Sequence, residues 1–323
     1  MRGIVIGKFY PPHLGHNYLI DTALNGCDQL TVLVVDNPDY HIPALNRASW
    51  LQEHHPGATV RIIPDINNDD DSTAWAAHTL AFLGYKPDVV FSSETYGKPW
   101  AEAMQCKSVL VDLDRTTFPI SGTLVRKDMM KSWQYLSREV KAGLALRIVV
   151  LGTESTGTTT LSRDLAAALN VPWVPEVGRY YTESILTSDI AWNNDDFYAI
   201  GRLQQAYENE IAARSNGVIV CDTNAVATEL WQKRYMGETT EAMKIIAAND
   251  KADLYIITGD EIPFVQDGIR DGEHIRHKMH QWFETHIASK NVPYIIVRGE
   301  RSERLLKALT ESKNMIKNRK IIY

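Results

Sequence analysis

The sequence predicts an α/β protein of two parallel-sheet domains, and three observations carry that expectation. Its 323 residues exceed what one hydrophobic core ordinarily organises. Short apolar runs alternate with stretches of helical periodicity in both halves, as parallel strands buried between helices should. Each half also opens on a strand, a glycine-bearing turn and a helix, an arrangement that presents unpaired backbone N–H groups to an anion. The expected domains are residues 1–130 and 146–323, with a structured connector over 131–145. That connector holds no proline and one glycine, and Trp133 and Leu136 are placed to pack it onto a domain.

Composition narrows the function classes. Charged residues at 23% and hydrophobic residues at 44% are the proportions of a globular chain and exclude a largely disordered one. No apolar run reaches the ~20 residues that a membrane-spanning helix needs, and no signal peptide precedes the first strand, so no membrane partner is expected. A net charge of −6 argues against a general polyanion binder but leaves room for a local basic pocket. Cys27, Cys106 and Cys221 show neither metal spacing nor a disulfide framework, which points to a reducing cytoplasm. The oligomeric state is left open, a homo-oligomer included.

In the first half, strands are expected at residues 4–6, 30–35, 59–63, 89–91 and 109–113, with helices at 15–25, 43–54 and 73–84. Ligands of such a sheet bind beyond the strand carboxyl ends. Polar residues gather at those ends: Gly7 to His16, Asp36, Ser92-Ser93-Glu94, and Asp112 to Arg115. The turn Gly7-Lys8-Phe9-Tyr10-Pro11-Pro12-His13-Leu14-Gly15-His16 places two imidazoles beside the free amides of a helix start. A second motif, Pro119-Ile120-Ser121-Gly122-Thr123-Leu124-Val125-Arg126, offers Ser121, Thr123 and another helix start to a phosphate, with Arg126 as a bidentate donor one turn along. The acidic run over 65–71 reads as a solvated loop rather than a metal site.

The second half repeats the strand–turn–helix. Gly152-Thr153-Glu154-Ser155-Thr156-Gly157-Thr158-Thr159-Thr160 has the glycine spacing of a Walker A loop, but Thr158 stands where that loop has lysine. The backbone cradle and a hydroxyl ligand from Thr159 need no lysine. Phosphoryl transfer, by analogy with losing one transition-state donor, would lose about 3 kcal/mol unless another cation enters. Arg163, Arg179, Arg270 and Arg276 are the candidates. The apolar run 217–222 ends in Asp222, which makes Asp222 and Thr159 the expected Mg²⁺ ligands. Glu176 and Arg179 are spaced to hold an acceptor hydroxyl and a phosphate. His274, His277 and His280 would fan too widely around a helix for one metal.

The motif Gly7–His16 resembles the HxGH signature of the nucleotidylyltransferase superfamily and, as GxFxPxHxGH, is most similar to the nicotinamide-nucleotide adenylyltransferases. Residues 120–126 resemble the ISGTxxR motif of the same superfamily. The Walker-like loop is similar to GxESxGKST of the NadR kinase domain, residues 175–179 to its ExxR segment, and residues 263–270 to its PWVxDGxR segment with Phe264 in place of tryptophan. The whole chain thus resembles a NadR-type bifunctional enzyme. That resemblance implies a Rossmann-like nucleotidylyltransferase fold followed by a P-loop kinase fold. The implied reactions are adenylyl transfer from ATP to nicotinamide mononucleotide, giving NAD, and phosphorylation of ribosylnicotinamide. Catalysis would fall to His13, His16, Lys8, Arg126, Glu176 and Asp222. ATP would meet Gly7, Phe9, Tyr10, Gly15, Ser121, Gly122 and Thr123 in one domain and Gly152 with residues 154–160 in the other. The nicotinamide nucleotide would meet Asp36, Arg47, Trp50, Trp75, Ser93, Glu94, Asp112 and Arg115. An indole face suits the cationic pyridinium, although Trp75 is equally consistent with core. Arg270 and Arg276 would form a lid over the transferring phosphoryl group. Some members of this family carry an N-terminal helix-turn-helix. With the first strand beginning at Gly3, no nucleic-acid partner is expected. A P-loop unit that binds nucleotide only as a regulatory sensor is the alternative.

Overall fold

The computed structural model describes residues 1–185, 191–265 and 272–318. The chain divides into two compact units between Gly143 and Leu144. The stretch expected as a connector runs with the first unit as far as Gly143.

In the first unit β1 (Arg2–Gly7), α1 (Leu14–Asn25), β2 (Gln29–Asp36), α2 (Ala44–His54), β3 (Thr59–Pro64), α3 (Ser72–Leu83), β4 (Val89–Ser92), α4 (Gly97–Ala103) and β5 (Lys107–Leu110) follow in order. Helices α5 (Gly122–Lys127), α6 (Met129–Ser132) and α7 (Arg138–Leu144) come after. The five strands are parallel in the order β3-β2-β1-β4-β5. Strand alternation explains why both faces are covered. Val5, Val32 and Val34 pack with Leu19, Ile20 and Leu51 of α1 and α2, whereas Ile4, Ile6, Leu33 and Val35 pack with Trp75 and Trp100 of α3 and α4. The order reverses at β1 and β4, so the crevice for a ligand opens beyond their carboxyl ends.

One strand lies elsewhere than its apolar run suggests. The segment expected at 109–113 pairs instead over Lys107–Leu110, with Val89 opposite Lys107 and Ser92 opposite Leu110. Asp112 stops it: its carboxylate accepts from the amides of Thr116, Thr117 and Phe118, and its own φ is +49°, which turns the chain away. The apolar residues left at this sheet edge, Val109 and Leu110, are exposed.

The second unit contains β6 (Leu146–Leu151), α8 (Thr158–Leu169), β7 (Trp173–Val174), α9 (Val177–Ile185), α10 (Asn194–Arg214), β8 (Val218–Asp222), α11 (Ala225–Met236), α12 (Glu241–Ala248), β9 (Leu254–Thr258), α13 (Arg276–Ala288), β10 (Tyr294–Val297) and α14 (Arg301–Asn318). Its strands are again all parallel, ordered β10-β9-β6-β8-β7. Leu146, Ile148 and Val150 of the central strand bury against Leu161 and Leu165 of α8 and Ala308 of α14. The switch point here lies among β6, β8 and β9, where the glycine loop begins. Among the described residues, no helix is long and apolar enough to cross a membrane.

Close packing of α7 on α2 gives a direct test. A methyl added at Gly143 would stand 2.2 Å from Cζ2 of the buried Trp50. Gly143→Ala is expected to destabilise the protein by about 1–3 kcal/mol through overpacking. Gly57→Ala, where the nearest neighbour of an added methyl is Leu24 at 3.7 Å, should cost little by comparison. Denaturant midpoints followed by tryptophan fluorescence decide between them.

Candidate active sites

The first site is a cavity of about 580 Å³ beyond the carboxyl ends of β1 and β4. Sixteen of the expected residues line it, from both motifs and from the loops after β4 and β5: Gly7 to Tyr10, His13, Gly15, His16, Trp75, Ser93, Glu94, Asp112, Arg115, Ser121, Gly122, Thr123 and Arg126. His13 caps α1, its Nδ1 accepting from the amide of His16 at 3.4 Å. The accepting nitrogen is unprotonated, so the proton of the neutral ring sits on Nε2, a buried atom with no partner among the described residues. The two imidazoles stack with ring centroids 3.6 Å apart, which leaves no space for a β-carbon on Gly15: it would meet the His13 ring at 3.2 Å. Burial and then the Arg115 charge push His13 down to about 3. Burial, His13 and Arg115 hold His16 well below its usual value. Both are therefore neutral hydrogen-bond donors at physiological pH rather than cations.

Positive charge comes from longer side chains. Arg126 donates to the carbonyl of Tyr10 at 2.7 Å and to Thr123 Oγ1 at 3.2 Å, and its guanidinium lies 5.4 Å from the Tyr10 ring. Ser121 caps α5 by accepting from the Leu124 amide. Lys8 bonds Asp69 at 2.5 Å; burial lowers its pKa, but the bonds to Asp69 and Tyr40 outweigh that and raise it. Arg115 pairs with Glu94 at 3.2 Å on the solvent side.

Three expected contacts of the nicotinamide nucleotide are not among the residues that line this cavity. Arg47 is fully buried beneath the loop, where it donates to the carbonyls of Lys8, Val35 and Ile42. It shapes the turn, and its Nη2 is buried without a partner among the described residues. Trp50 is buried on α2 against Gly143. Asp36, the last residue of β2, is likewise not among the lining residues. Asp112 does line the cavity, but its carboxylate is occupied by the hydrogen bonds that shape the 112–118 turn. Trp75 belongs both to the cavity wall and to the core. Sequence reading assigned no site role to Tyr96, whose hydroxyl donates to the Ile6 carbonyl, or to Asp69, which sits in an acidic run that looked merely solvated.

The second site surrounds the loop after β6. Gly157, at φ +82°, starts α8, so Thr158 and Thr159 open the helix. Gly152 must be glycine because a β-carbon would stand 2.2 Å from Thr258 Oγ1. Thr156 Oγ1 donates to the Thr153 carbonyl and meets Thr258 Oγ1 at 2.7 Å, which fixes the inner side of the loop. Asp222 ends β8 and is 1% exposed, with Oδ1 unpartnered among the described residues. Burial raises its pKa to about 6 against the opposing effects of Thr159 and Thr158, then Arg163 and Arg179. A buried carboxylate with a vacant oxygen beside two helix-start hydroxyls fits a hard divalent cation.

Several expected contacts prove to brace the loop. Glu154, expected on ATP, accepts from Arg234 and from the Gly272 amide, each at 2.8 Å. Arg276, expected as a lid, is buried and donates to the Ser155 carbonyl at 3.1 Å. Arg304, unremarked in the sequence, donates to the Thr156 carbonyl at 2.9 Å. Ser155 Oγ accepts from the Val265 amide at 2.7 Å. Thr160 is the third residue of α8 and is exposed. Arg179 pairs with Glu183 one turn along α9, and Glu176 precedes that helix. Arg270 lies outside the described residues. Thr258 could have been found as the polar end of an apolar strand, by the reasoning that selected Asp222.

Comparison with known proteins follows this division. Residues 147–304 match the AAA domain model. The trifunctional NAD biosynthesis/regulator protein NadR of Escherichia coli is 29% identical over 291 residues, covering 83% of this chain and 71% of that protein. The Salmonella typhimurium protein of the same description is 29% identical over 293 residues, with the same coverage. The fold matches a crystal structure of NadR in complex with NR at a TM-score of 0.69 and 21% identity, covering 96% of this chain and 95% of that one. A NadR structure with NAD and AMP-PNP matches at 0.67. The chain is similar to NadR along most of its length. The two parallel sheets with their surrounding helices are the fold that this chain shares with these structures.

The neutral histidines set a pH dependence. A group whose folded pKa is depressed to about 3 binds fewer protons when folded than when unfolded between that value and its ordinary 6.5, so stability falls as pH drops through this range. His13→Asn keeps a helix cap without a titrating ring. Between pH 7 and 4 this variant should lose less stability than the parent, as read from denaturant midpoints. An equal loss would mean that His13 is not held neutral.

Proposed function

We propose that the first unit transfers the adenylyl group of ATP to nicotinamide mononucleotide, and that the second uses ATP to phosphorylate the 5′-hydroxyl of ribosylnicotinamide. The observation that carries the first half is the convergence of His13, His16, Lys8, Arg126 and the α1 amides on one cavity. In this reaction a phosphate oxygen of the mononucleotide attacks the α-phosphorus of ATP. The bond from that phosphorus to the bridging oxygen breaks, and pyrophosphate leaves with the electron pair. The protein need form no covalent intermediate; it has to align the two phosphates and stabilise charge developing on them. Neutral imidazole N–H groups donate without demanding a proton transfer, and Arg126 and Lys8 supply the charge.

For the second unit, the proposal rests on the glycine loop, the opening of α8 and Asp222 at the neighbouring strand end. Glu176 would orient the acceptor hydroxyl and Arg179 a phosphate. Thr159 and Asp222 would hold Mg²⁺, which supplies charge neutralisation across the transferring phosphates. The three free cysteines accord with work in a reducing cytoplasm. Thr158 favours a second reading, in which this unit binds nucleotide but serves as a regulatory sensor of the adenylyltransferase.

A paired assay separates these. NAD formation from ATP and nicotinamide mononucleotide should fall by roughly 10²–10³-fold in His16→Ala, the cost of removing one preorganised donor. ADP formation dependent on ribosylnicotinamide should persist in the same variant. Undiminished NAD formation contradicts the first assignment. Normal NAD formation with no ribosylnicotinamide-dependent ADP leaves the sensor reading in place of the kinase.

A further inference from the structure

Three arginines brace the glycine loop of the second unit. Arg276 donates to the Ser155 carbonyl, Arg304 to the Thr156 carbonyl and Arg234 to the Glu154 carboxylate. Arg163 is placed differently. Among the described residues its guanidinium makes no hydrogen bond or ion pair, and it rests 4.4 Å from the centre of the Trp173 ring.

Helix and sheet geometry aim Arg163 at the phosphate end of the loop. Thr159 and Arg163 are four residues apart on α8 and share one face of that helix. Side chains on a helix lean towards its N-terminus, so an arginine one turn in reaches back to the helix start. Trp173 pairs with Val220 in parallel register, which puts its ring on the side of the sheet that carries Val220 and, two residues on, Asp222. The same side carries Leu161 and Leu165 of α8, against which Trp173 packs. The ring is fixed there: its Nε1 donates to Ser162 Oγ at 2.9 Å, and that hydroxyl donates to the Thr159 carbonyl at 3.1 Å. The charge of Arg163 is felt at the strand end. Burial pushes the Asp222 carboxyl up to about 6, and Thr159, Thr158 and then Arg163 oppose it.

A cation so placed suits the role that Thr158 leaves open. In a loop of this spacing, a lysine at that position lies as a point charge among the β- and γ-phosphates. We propose, resting on the nucleotide-binding reading of the second unit, that Arg163 supplies this charge, its guanidinium reaching from the indole face of Trp173 to the phosphates of a nucleotide seated in the loop. The planar fork presents several N–H donors to phosphate oxygens, and the Trp173 ring keeps it beside the loop until nucleotide arrives. Arg163 and a lysine at position 158 are then alternatives for one function.

Hydrogen-exchange mass spectrometry of the full-length protein reads this site separately from the first, through peptides spanning residues 152–165. The probe is AMP-PNP with Mg²⁺. Arg163→Met removes the charge and keeps an unbranched stem against Trp173. Its protection midpoint should move to a roughly 10–100-fold higher nucleotide concentration, the scale of one charge-assisted hydrogen bond. Adding Thr158→Lys to Arg163→Met should lower that midpoint by about tenfold, whereas Thr158→Lys alone should shift the parent by about threefold or less. An unchanged midpoint in Arg163→Met would overturn the proposal. So would a loss that Thr158→Lys leaves in place, which would assign Arg163 to packing on Trp173 alone, or an equal gain from Thr158→Lys in both backgrounds. Absence of protection in the parent, with protection of the first-unit peptides 7–19 intact, would instead overturn the nucleotide-binding reading on which the proposal stands.

Discussion

The hydrogen bond from Arg126 to the carbonyl of Tyr10 joins residues 116 positions apart and makes one site of two motifs. It holds the start of α5 against the turn after β1. Gly122 permits that approach, since a β-carbon there would stand 3.2 Å from the same carbonyl oxygen. From beneath, Arg47 takes the carbonyl of Lys8. Carbonyl oxygens repel a phosphate, so fixing them on arginines leaves the turn's amides and the α1 N-terminus to face the cavity. Arg47 is thus essential to the shape of the site without lining it.

The same device recurs in the second unit. Arg276 and Arg304 take the carbonyls of Ser155 and Thr156, while Arg234 and the Gly272 amide hold Glu154. Thr258, at the end of β9, closes the inner side through Thr156. Both units therefore place their proposed anion sites at the switch point of a parallel sheet, with buried arginines on the backbone acceptors. They differ in how they offer positive charge. The first unit brings Lys8 and Arg126 to the cavity; in the second, Arg234, Arg276 and Arg304 brace the loop, and a threonine stands in the lysine position.

The fold was legible because its signals are local. Apolar strand runs, glycine turns and helix caps each depend on a few neighbouring residues, and His13, Ser121 and Gly157 stand at helix starts as their sequence context implies. The placement of long side chains was less legible. Arg47, Glu154 and Arg276 are charged residues near motifs, and sequence alone favours sending such groups to a ligand. The folded chain instead spends them on carbonyls and amides that lie far off in sequence, as in the Arg276–Ser155 and Glu154–Gly272 pairs. The end of β5 was missed for a related reason. Its apolar run continues to Leu113, but Asp112 obtains enough hydrogen bonds from the following amides to turn the chain earlier.

The central claim is that the histidine turn and the start of α5 act on the same phosphates. A double-mutant cycle of His16→Ala and Arg126→Lys, scored by kcat/KM for NAD formation from ATP and nicotinamide mononucleotide, tests it most directly. Groups stabilising one transition state should be coupled, so the double variant should lose clearly less than the product of the two single losses. Losses that multiply without coupling, or a single variant that retains the parent rate, would contradict the account.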